Sequence, residues 1–432
     1  MSGRAFEPAL AFYRGATTLL GPLAPALLNW RRRRGKEDPR RMAERMGYAS
    51  LPRPKGPLVW LHGASVGEGV ALLPLIERLV ERGFHVLATT GTVTSAKILA
   101  DRLPAGAQHQ YLPLDIPAFL NRFLDHWRPG LALVAESEIW PNMLRIAHER
   151  GVPLALVNAR LSPRSFARWR KAPQVIGSLL GRLDLCLAQS KNDALRLQQL
   201  GAPHVEVSGN LKYDVPAPPF SPVMLAQMTA AVGARPTWLA ASTHQDEEEI
   251  ILAVHRLLHA DFPDLLTIVA PRNARRGPPM AERAEAVGAP AALRSRGDDL
   301  TAQTQIYIAD TMGEMGVFYR LTNIVLMGKS LGAAKGGQNP IEPAKLGATV
   351  LHGPHVDNFI DVYHDLAAAH GAVPVADEAA LAEALRLYFS DPALLRRSGR
   401  ATQEAVGRFG GATDRILLAL DPWLARVQAE NL

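Results

Sequence analysis

The chain has 432 residues, 47% hydrophobic and 21% charged, with a net charge of +7 and a single cysteine, Cys186. That length exceeds one core of about 250–300 residues and implies two domains; one thiol excludes an internal disulfide framework and points to a reducing, cytosol-facing location. The charge is local, since residues 31–45 hold eight basic and three acidic side chains. It follows an apolar segment, which excludes the usual basic face of a nucleic-acid binder and favours a membrane surface as the partner.

Residues 9–30 form that segment, with no charge from Gly15 to Trp30. It is short of the ~20 apolar residues of a spanning helix, and Pro22 and Pro25 weaken it further. With no basic n-region and no clear cleavage site, it does not read as a signal peptide. The reading is a membrane-anchor helix over 1–30, either a poor span or a helix in the membrane plane, with the arginines on the cytoplasmic side. The alternative is a helix packed on the protein itself.

Residues 31–214 alternate between strand and helix patterns. Strands are expected at 58–61, 84–90, 131–135, 152–157, 185–188 and 205–207, and helices near 95–103, 141–150 and 175–183. Alternation of this kind means a parallel sheet with right-handed crossovers. Residues 215–222 carry four prolines and read as a linker. A second alternating set runs over 223–410, with strands at 237–241, 265–270, 306–309, 323–327 and 349–351. Ser242 with Gln245 reads as a capping box. The last stretch, 411–432, is helical and is expected to pack back on the first domain. The fold class is thus α/β, with two Rossmann-like domains facing a cleft and ligands at the carboxyl ends of the strands.

Those ends carry the candidate chemistry. Leu58–Leu61 runs into Gly63, Ala64, Ser65 and Gly67, and Glu68 lies at the start of the next helix. It is either a helix-dipole partner or an acid/base group. Glu136 and Glu138 follow another strand, and Glu138 is also a candidate cap for the helix from Pro141. Arg160, Arg164, Arg168, Arg170 and Lys171 form either a solvated face or an acceptor-phosphate site. In the second half the strand ends are Pro271-Arg272, Thr311–Glu314 and the glycine-rich run Gly328–Glu342. Such a run before a helix can cradle phosphate through backbone N–H groups. No Cys/His cluster has zinc spacing, and no Asp-x-Asp pair is present to hold a divalent ion on a diphosphate. Neither a metal nor a cofactor is expected.

Seven motifs occur together: His62-Gly-Ala-Ser-Val-Gly-Glu68, Glu136-Ser-Glu-Ile-Trp-Pro-Asn142, Asn158-Ala-Arg-Leu-Ser162, Gly209-Asn-Leu-Lys-Tyr-Asp214, Ala241-Ser-Thr-His244, Asp310-Thr-Met-Gly-Glu314 and Gly336-Gly-Gln-Asn-Pro-Ile-Glu342. In that order they resemble the bacterial 3-deoxy-D-manno-octulosonic acid (Kdo) transferases of lipopolysaccharide synthesis. The resemblance implies a GT-B glycosyltransferase on the cytoplasmic side of the inner membrane. It would move Kdo with inversion from CMP-Kdo to a lipid A precursor of the lipid IVA type. By motif match Glu68 would be the general base, with Glu136 and Lys212 supporting the transition state. Pro271, Arg272, Met312, Gly313, Glu314, Asn339, Pro340, Ile341 and Glu342 would contact CMP. Two motifs depart from the family pattern. The family usually has Pro-Arg-His-x-Glu-Arg where this chain has Pro271-Arg-Asn-Ala-Arg-Arg276, so Asn273 replaces His and Arg275 replaces Glu, and Gln338 stands where the family has His in Gly-Gly-His-Asn. Two other classes share the coarse pattern: another nucleotide-sugar enzyme of this fold, such as an epimerase, and a non-catalytic membrane-surface protein.

Overall fold

The computed structural model describes residues 8–430. The chain divides into two units. One holds the residues up to Val215 together with those from Gly410 onward, and the other is Pro216–Phe409.

The first unit is built on seven parallel strands: β1 Leu58–His62, β2 His85–Thr90, β3 Ala107–Tyr111, β4 Leu131–Ala135, β5 Leu154–Ala159, β6 Leu185–Ala188 and β7 Val205–Val207. Their order is β3-β2-β1-β4-β5-β6-β7. Successive side chains alternate faces. Leu58 and Trp60 enter one core layer, and Val59 and Leu61 enter the other. Both faces are covered, which is why these strands read as continuous apolar runs. The helix Ala412–Ala429 fills the second layer with Ile416, Leu417, Leu420, Leu424 and Val427. Asp214 holds its start by accepting bonds from the N–H groups of Gly411 and Thr413.

β3 escapes the sequence pattern because Ala107-Gln-His-Gln-Tyr111 has no apolar run. It is held by polar contacts instead. His109 Nδ1 lies 3.0 Å from the Arg41 guanidinium, so it accepts, and its Nε2–H therefore donates to Thr90 Oγ1 at 2.9 Å. The Tyr111 N–H donates to Glu44, which also pairs with Arg41 at 2.8 Å.

That network takes up part of the basic run. Arg31 pairs with Glu37 at 2.5 Å, and Arg45, itself buried, lies 3.4 Å from Glu37. Three of the eight basic residues are therefore structural, while Arg32, Arg33, Arg34, Lys36 and Arg40 stay exposed.

The N-terminal apolar segment forms two helices, Pro8–Leu20 and Ala24–Arg33, broken at Gly21–Leu23. The first is about 20 Å long, against a hydrocarbon core of about 30 Å. Among the described residues no helix is long and apolar enough to cross a membrane, so of the two sequence readings the spanning form is not what is seen. Leu10 packs on the core, but the helix also turns polar groups inward and leaves large apolar side chains outward. The Tyr13 hydroxyl donates to Asp115 at 2.9 Å, and the Asn142 amide donates to Thr17 Oγ1 at 3.0 Å. Phe12, Leu19, Leu20, Leu23, Leu27 and Trp30 are exposed. Residues 1–7 of the expected anchor, and 431–432 of the expected C-terminal helix, lie outside the described residues.

The second unit has seven parallel strands as well: β8 Thr237–Thr243, β9 Leu266–Pro271, β10 Ala291–Leu293, β11 Ile306–Ile308, β12 Ile324–Met327, β13 Thr349–His352 and β14 Ala372–Pro374, ordered β10-β11-β9-β8-β12-β13-β14. β10 and β14 are three-residue strands at the two edges, too short to carry a periodic signal.

His109 gives the fold a pH dependence. Burial, and secondarily the Arg41 charge, lowers its pKa from 6.5 to about 3. The unfolded chain therefore binds a proton below pH 6.5 that the folded chain does not, and stability falls as pH drops from 6.5 toward 3. A His109→Gln variant lacks this term. Its stability deficit, measured by denaturant unfolding, is expected to narrow by about 1.4 kcal/mol per pH unit below 6.5. A deficit independent of pH would mean that His109 is protonated in the native state.

Candidate active site

In the first sheet the order reverses between β1 and β4, which makes the carboxyl ends of these two strands the crevice of a doubly wound sheet. Glu68 follows β1 and Glu136 follows β4, so the two motifs distant in sequence arrive on neighbouring strands. Ser65 caps the helix Val66–Glu81 by accepting from the Glu68 N–H at 3.3 Å. The Glu68 carboxylate reaches back, with Oε1 accepting from the Ser65 hydroxyl and Oε2 from the Ala64 N–H, both at 2.7 Å. The capping geometry is therefore present, but each carboxylate oxygen has lone pairs to spare. The Glu68 pKa is raised, first by burial and then by the negative charges of Glu136 and Glu138, against the bonds from Ser65 and Ala64.

Glu136 occupies the left-handed region at φ 52°, where a non-glycine residue is uncommon. Its Oε1 lies 3.2 Å from Lys212 Nζ. The contact is ionic, for that oxygen has no hydrogen-bond partner. Lys212 arrives from the far edge of the sheet, in a short 3-10 turn after β7. Asn158, also left-handed at φ 51°, fixes that turn by accepting from the Leu211 N–H at 3.0 Å, and Asn210 accepts from the Lys212 N–H at 3.0 Å. Two strained residues at adjacent strand ends thus hold the carboxylate–ammonium pair.

Glu138 does not cap the helix from Pro141. The Trp140 indole donates to it at 2.7 Å, and His62 Nε2 lies 3.7 Å away, beyond hydrogen-bond length. Burial works to raise its pKa, but these partners outweigh burial and the net shift is downward; the short Trp140 bond is the firmer of the two. The cap comes from Asp115 instead, whose carboxylate accepts from the N–H groups of Asn142 at 3.1 Å and Met143 at 2.9 Å. Asp115 sits in Leu112-Pro-Leu-Asp-Ile-Pro117, which gives no sequence signal. Of the basic run, Arg164, Arg168, Arg170 and Lys171 are exposed.

In the second unit the three predicted loops emerge from β9, β11 and β12, on the carboxyl edge of one sheet. Pro271 ends β9, and exposed Arg272 anchors its N–H on Thr243 O at 3.0 Å. Met312 is 76% exposed, and Gly313 takes φ 85°. Glu314 is engaged by Arg294, which the sequence did not single out, through two bonds of 2.9 and 3.1 Å that pull its pKa down. Asn339 accepts from the Ile341 N–H at 3.1 Å. Pro340 and Ile341 are buried, so they offer a ligand backbone rather than side chain. Half-buried Glu342 adds its charge to burial in raising the pKa of Tyr319.

The capping box is not Ser242 with Gln245. Ser242 is still within β8, and the box runs from His244 to Glu247. Glu247 is the residue that sequence reasoning missed. It is buried and accepts from the N–H groups of His244, Lys329, Ser330 and Leu331 at 2.8–3.1 Å. Asp246 accepts from the Ala334 N–H at 2.6 Å. The N–H groups of Lys329, Ser330, Leu331 and Ala334 are thus spent on the protein's own carboxylates. Gly328 and Gly332 are required for close approach, because a Cβ would fall 2.5 Å from Ser242 O and 2.3 Å from Asp246 Oδ2. Among the described residues no group of three His, Cys, Asp or Glu side chains is placed to hold a metal.

The family profile described as 3-deoxy-D-manno-octulosonic-acid transferase (kdotransferase) matches residues 40–215. The 3-deoxy-D-manno-octulosonic acid transferase of Bordetella pertussis is 35% identical over 428 residues, covering 95% of this chain and 99% of that protein. A protein of Arabidopsis thaliana, described as a probable mitochondrial 3-deoxy-D-manno-octulosonic acid transferase, is 35% identical over 404 residues, covering 91% and 90%.

The chain belongs to the Kdo transferase family.

It is a glycosyltransferase, and family membership sets aside the epimerase reading, which rested on fold. A UDP-GlcNAc 2-epimerase from Neisseria meningitidis bound to UDP-GlcNAc superposes with a TM-score of 0.58 at 13% identity, over 85% of this chain and 100% of that one. That likeness establishes the shared GT-B architecture of two Rossmann-like units and nothing about chemistry.

In this Kdo transferase the Glu247 carboxylate is what shapes the glycine-rich loop. Glu247→Ala would leave four N–H groups without their acceptor, one of them buried and three half-buried, and an orphaned buried donor costs about 1–3 kcal/mol. The variant is expected to lose at least about 3 kcal/mol in denaturant unfolding and to be cut by protease within residues 328–342. Parent-like stability and resistance would show that the loop is held by other contacts.

Proposed function

We propose that this Kdo transferase moves Kdo from CMP-Kdo to a lipid A precursor of the lipid IVA type, with inversion and with Glu68 as general base. The observation that carries the reading is the grouping at the carboxyl ends of β1 and β4. Glu68 has a raised pKa, and Glu136 beside it is paired with Lys212. An acceptor hydroxyl attacks the anomeric carbon of Kdo and its proton passes to Glu68. The new C–O bond forms as the bond to the phosphate oxygen breaks, and CMP leaves with that electron pair. A carboxylate whose pKa is raised is a stronger base toward the acceptor hydroxyl. Lys212 supplies positive charge beside the carboxylates of the first unit, and in the second unit the exposed Arg272 supplies it to the phosphate of CMP, which is the electrostatic help such a transfer needs. Arg272, Met312, Gly313, Glu314, Asn339, Glu342 and the backbone of Pro271, Pro340 and Ile341 form the CMP-contacting edge of the second unit, and no metal takes part.

The acceptor reading is supported by the N-terminal helices. An exposed apolar face flanked by Arg32, Arg33, Arg34 and Lys36 suits a helix lying in an anionic interface, on the cytoplasmic side of the inner membrane. The arginines at 164, 168 and 170 are available to acceptor phosphates.

Two experiments test the reading. Glu68→Gln keeps shape and one capping bond but cannot take a proton. Turnover with CMP-Kdo and lipid acceptor in excess chelator is expected to fall at least ~100-fold while CMP binding persists. A variant keeping more than about a tenth of parent turnover would return Glu68 to the role of cap. Separately, Leu19→Glu with Leu23→Glu is expected to release the protein from anionic vesicles in a flotation assay. Co-flotation equal to the parent's would remove the membrane from the proposal.

A further inference from the structure

A cavity of about 430 Å³ lies where the N-terminal helices meet the first unit, walled by Gly21, Pro22, Pro25, Ile116, Ala118 and Phe119. Its volume falls in the range of small-molecule sites. We propose that it holds one acyl chain of the lipid acceptor; this rests on the reading of that acceptor as a lipid.

Three observations carry it. The first is chemical. The walls are apolar apart from Thr18, Tyr48 and Arg122, and two of these turn their bonds to the protein. Thr18 Oγ1 donates to Arg14 O at 2.8 Å, and Arg122 donates to Met46 O while its guanidinium stacks 4.0 Å over the Tyr48 ring. A site with so few groups left to bond suits hydrocarbon rather than a polar ligand.

The second is continuity. Gly21, Pro22 and Pro25 line the cavity, and they alternate along the chain with Leu20, Leu23 and Leu27, which are exposed. The break between the two helices is therefore both the cavity wall and the middle of the outward apolar face. A chain leaving a bilayer at that face meets the cavity without crossing polar surface, and the exposed arginines at 32–34 match the anionic head of a lipid.

The third is position. Ile116 in the wall follows Asp115, and Thr18 follows Thr17. Asp115 and Thr17 are the two residues that tie the helix Pro8–Leu20 to Asn142, at the start of the helix that continues the Glu136–Trp140 loop. The cavity is one residue away from the clamp that sets the carboxylate loop.

The cavity can be filled from either wall. A Cβ at Gly21 would lie 3.5 Å from Ile116 Cγ2, an ordinary contact, so the backbone at Gly21 admits a side chain there and Gly21→Leu is the first filling variant. Ala118→Phe fills it from the opposite side and serves as the second variant if Gly21→Leu lowers the melting temperature. Neither residue belongs to the catalytic or donor sites.

The measurement is kcat/KM for the acylated acceptor and for the same acceptor stripped of its acyl chains by alkaline hydrolysis. Each variant is expected to lose at least tenfold on the acylated acceptor, through KM, and to match the parent on the stripped one. In parallel, an acceptor with a diazirine in one chain is expected to label residues 18–25 or 116–122 on illumination. Equal loss on both acceptors, parent-like kinetics on both, or labelling elsewhere overturns the proposal. Labelling of these residues by a diazirine phospholipid but not by the acceptor also overturns it, since the cavity would then be a bilayer contact. If the parent transfers Kdo to neither acceptor, it is the lipid-acceptor reading that fails, and the labelling pattern alone decides the cavity.

Discussion

In a sheet of parallel strands joined by right-handed crossovers, the helices pass to opposite faces wherever the strand order reverses, and the backbone opens there at the carboxyl ends. In the first unit this happens between β1 and β4, and in the second between β8 and β12. The pairing of the two carboxylate motifs depends on that constraint. Glu68 and Glu136 are 68 residues apart in the chain yet stand at the ends of adjacent strands. The same reversal in the second unit puts the loop carrying Glu247 beside the loop from Lys329 to Leu331 that it holds.

Three carboxylates in one neighbourhood repel one another, and the structure resolves this unequally. Glu138 takes the Trp140 bond and sits below the usual carboxylate range, while Glu68 is pushed above it. Glu136 is set against Lys212. Separate environments for like groups are how one fold assigns different proton roles to them. The left-handed backbone at Glu136 and Asn158 is local strain kept in place by the strands behind it.

The N-terminal helices bury only part of the apolar stripe that a surface helix usually turns inward, Leu10, Ala24 and Leu28. Here the Tyr13 and Thr17 contacts lie inward and Leu19, Leu20 and Leu23 lie outward. The basic residues that follow are divided: Arg31, Arg41 and Arg45 neutralise Glu37 and Glu44 inside the first unit, and the others remain at the surface. A sum of charges along the segment could not separate these two populations, because partners such as Glu37 lie among them.

The sequence by itself determined the α/β class, the doubled Rossmann pattern and the candidate loops, because apolar runs buried on both faces are visible without knowing their neighbours. It also determined the family, since the motifs are contiguous. It missed β3, whose polar residues are satisfied by Arg41, Thr90 and Glu44, and the short edge strands β10 and β14. Only the tertiary structure decided that Asp115 caps the helix after Glu136, that Lys212 faces Glu136, and that Glu247 organises the glycine-rich loop. Those are contacts between residues tens to more than eighty positions apart. Their partners are fixed by strand order, which periodicity along the chain does not encode, because a hydrogen bond depends on distance in space and a sequence pattern records only distance along the backbone.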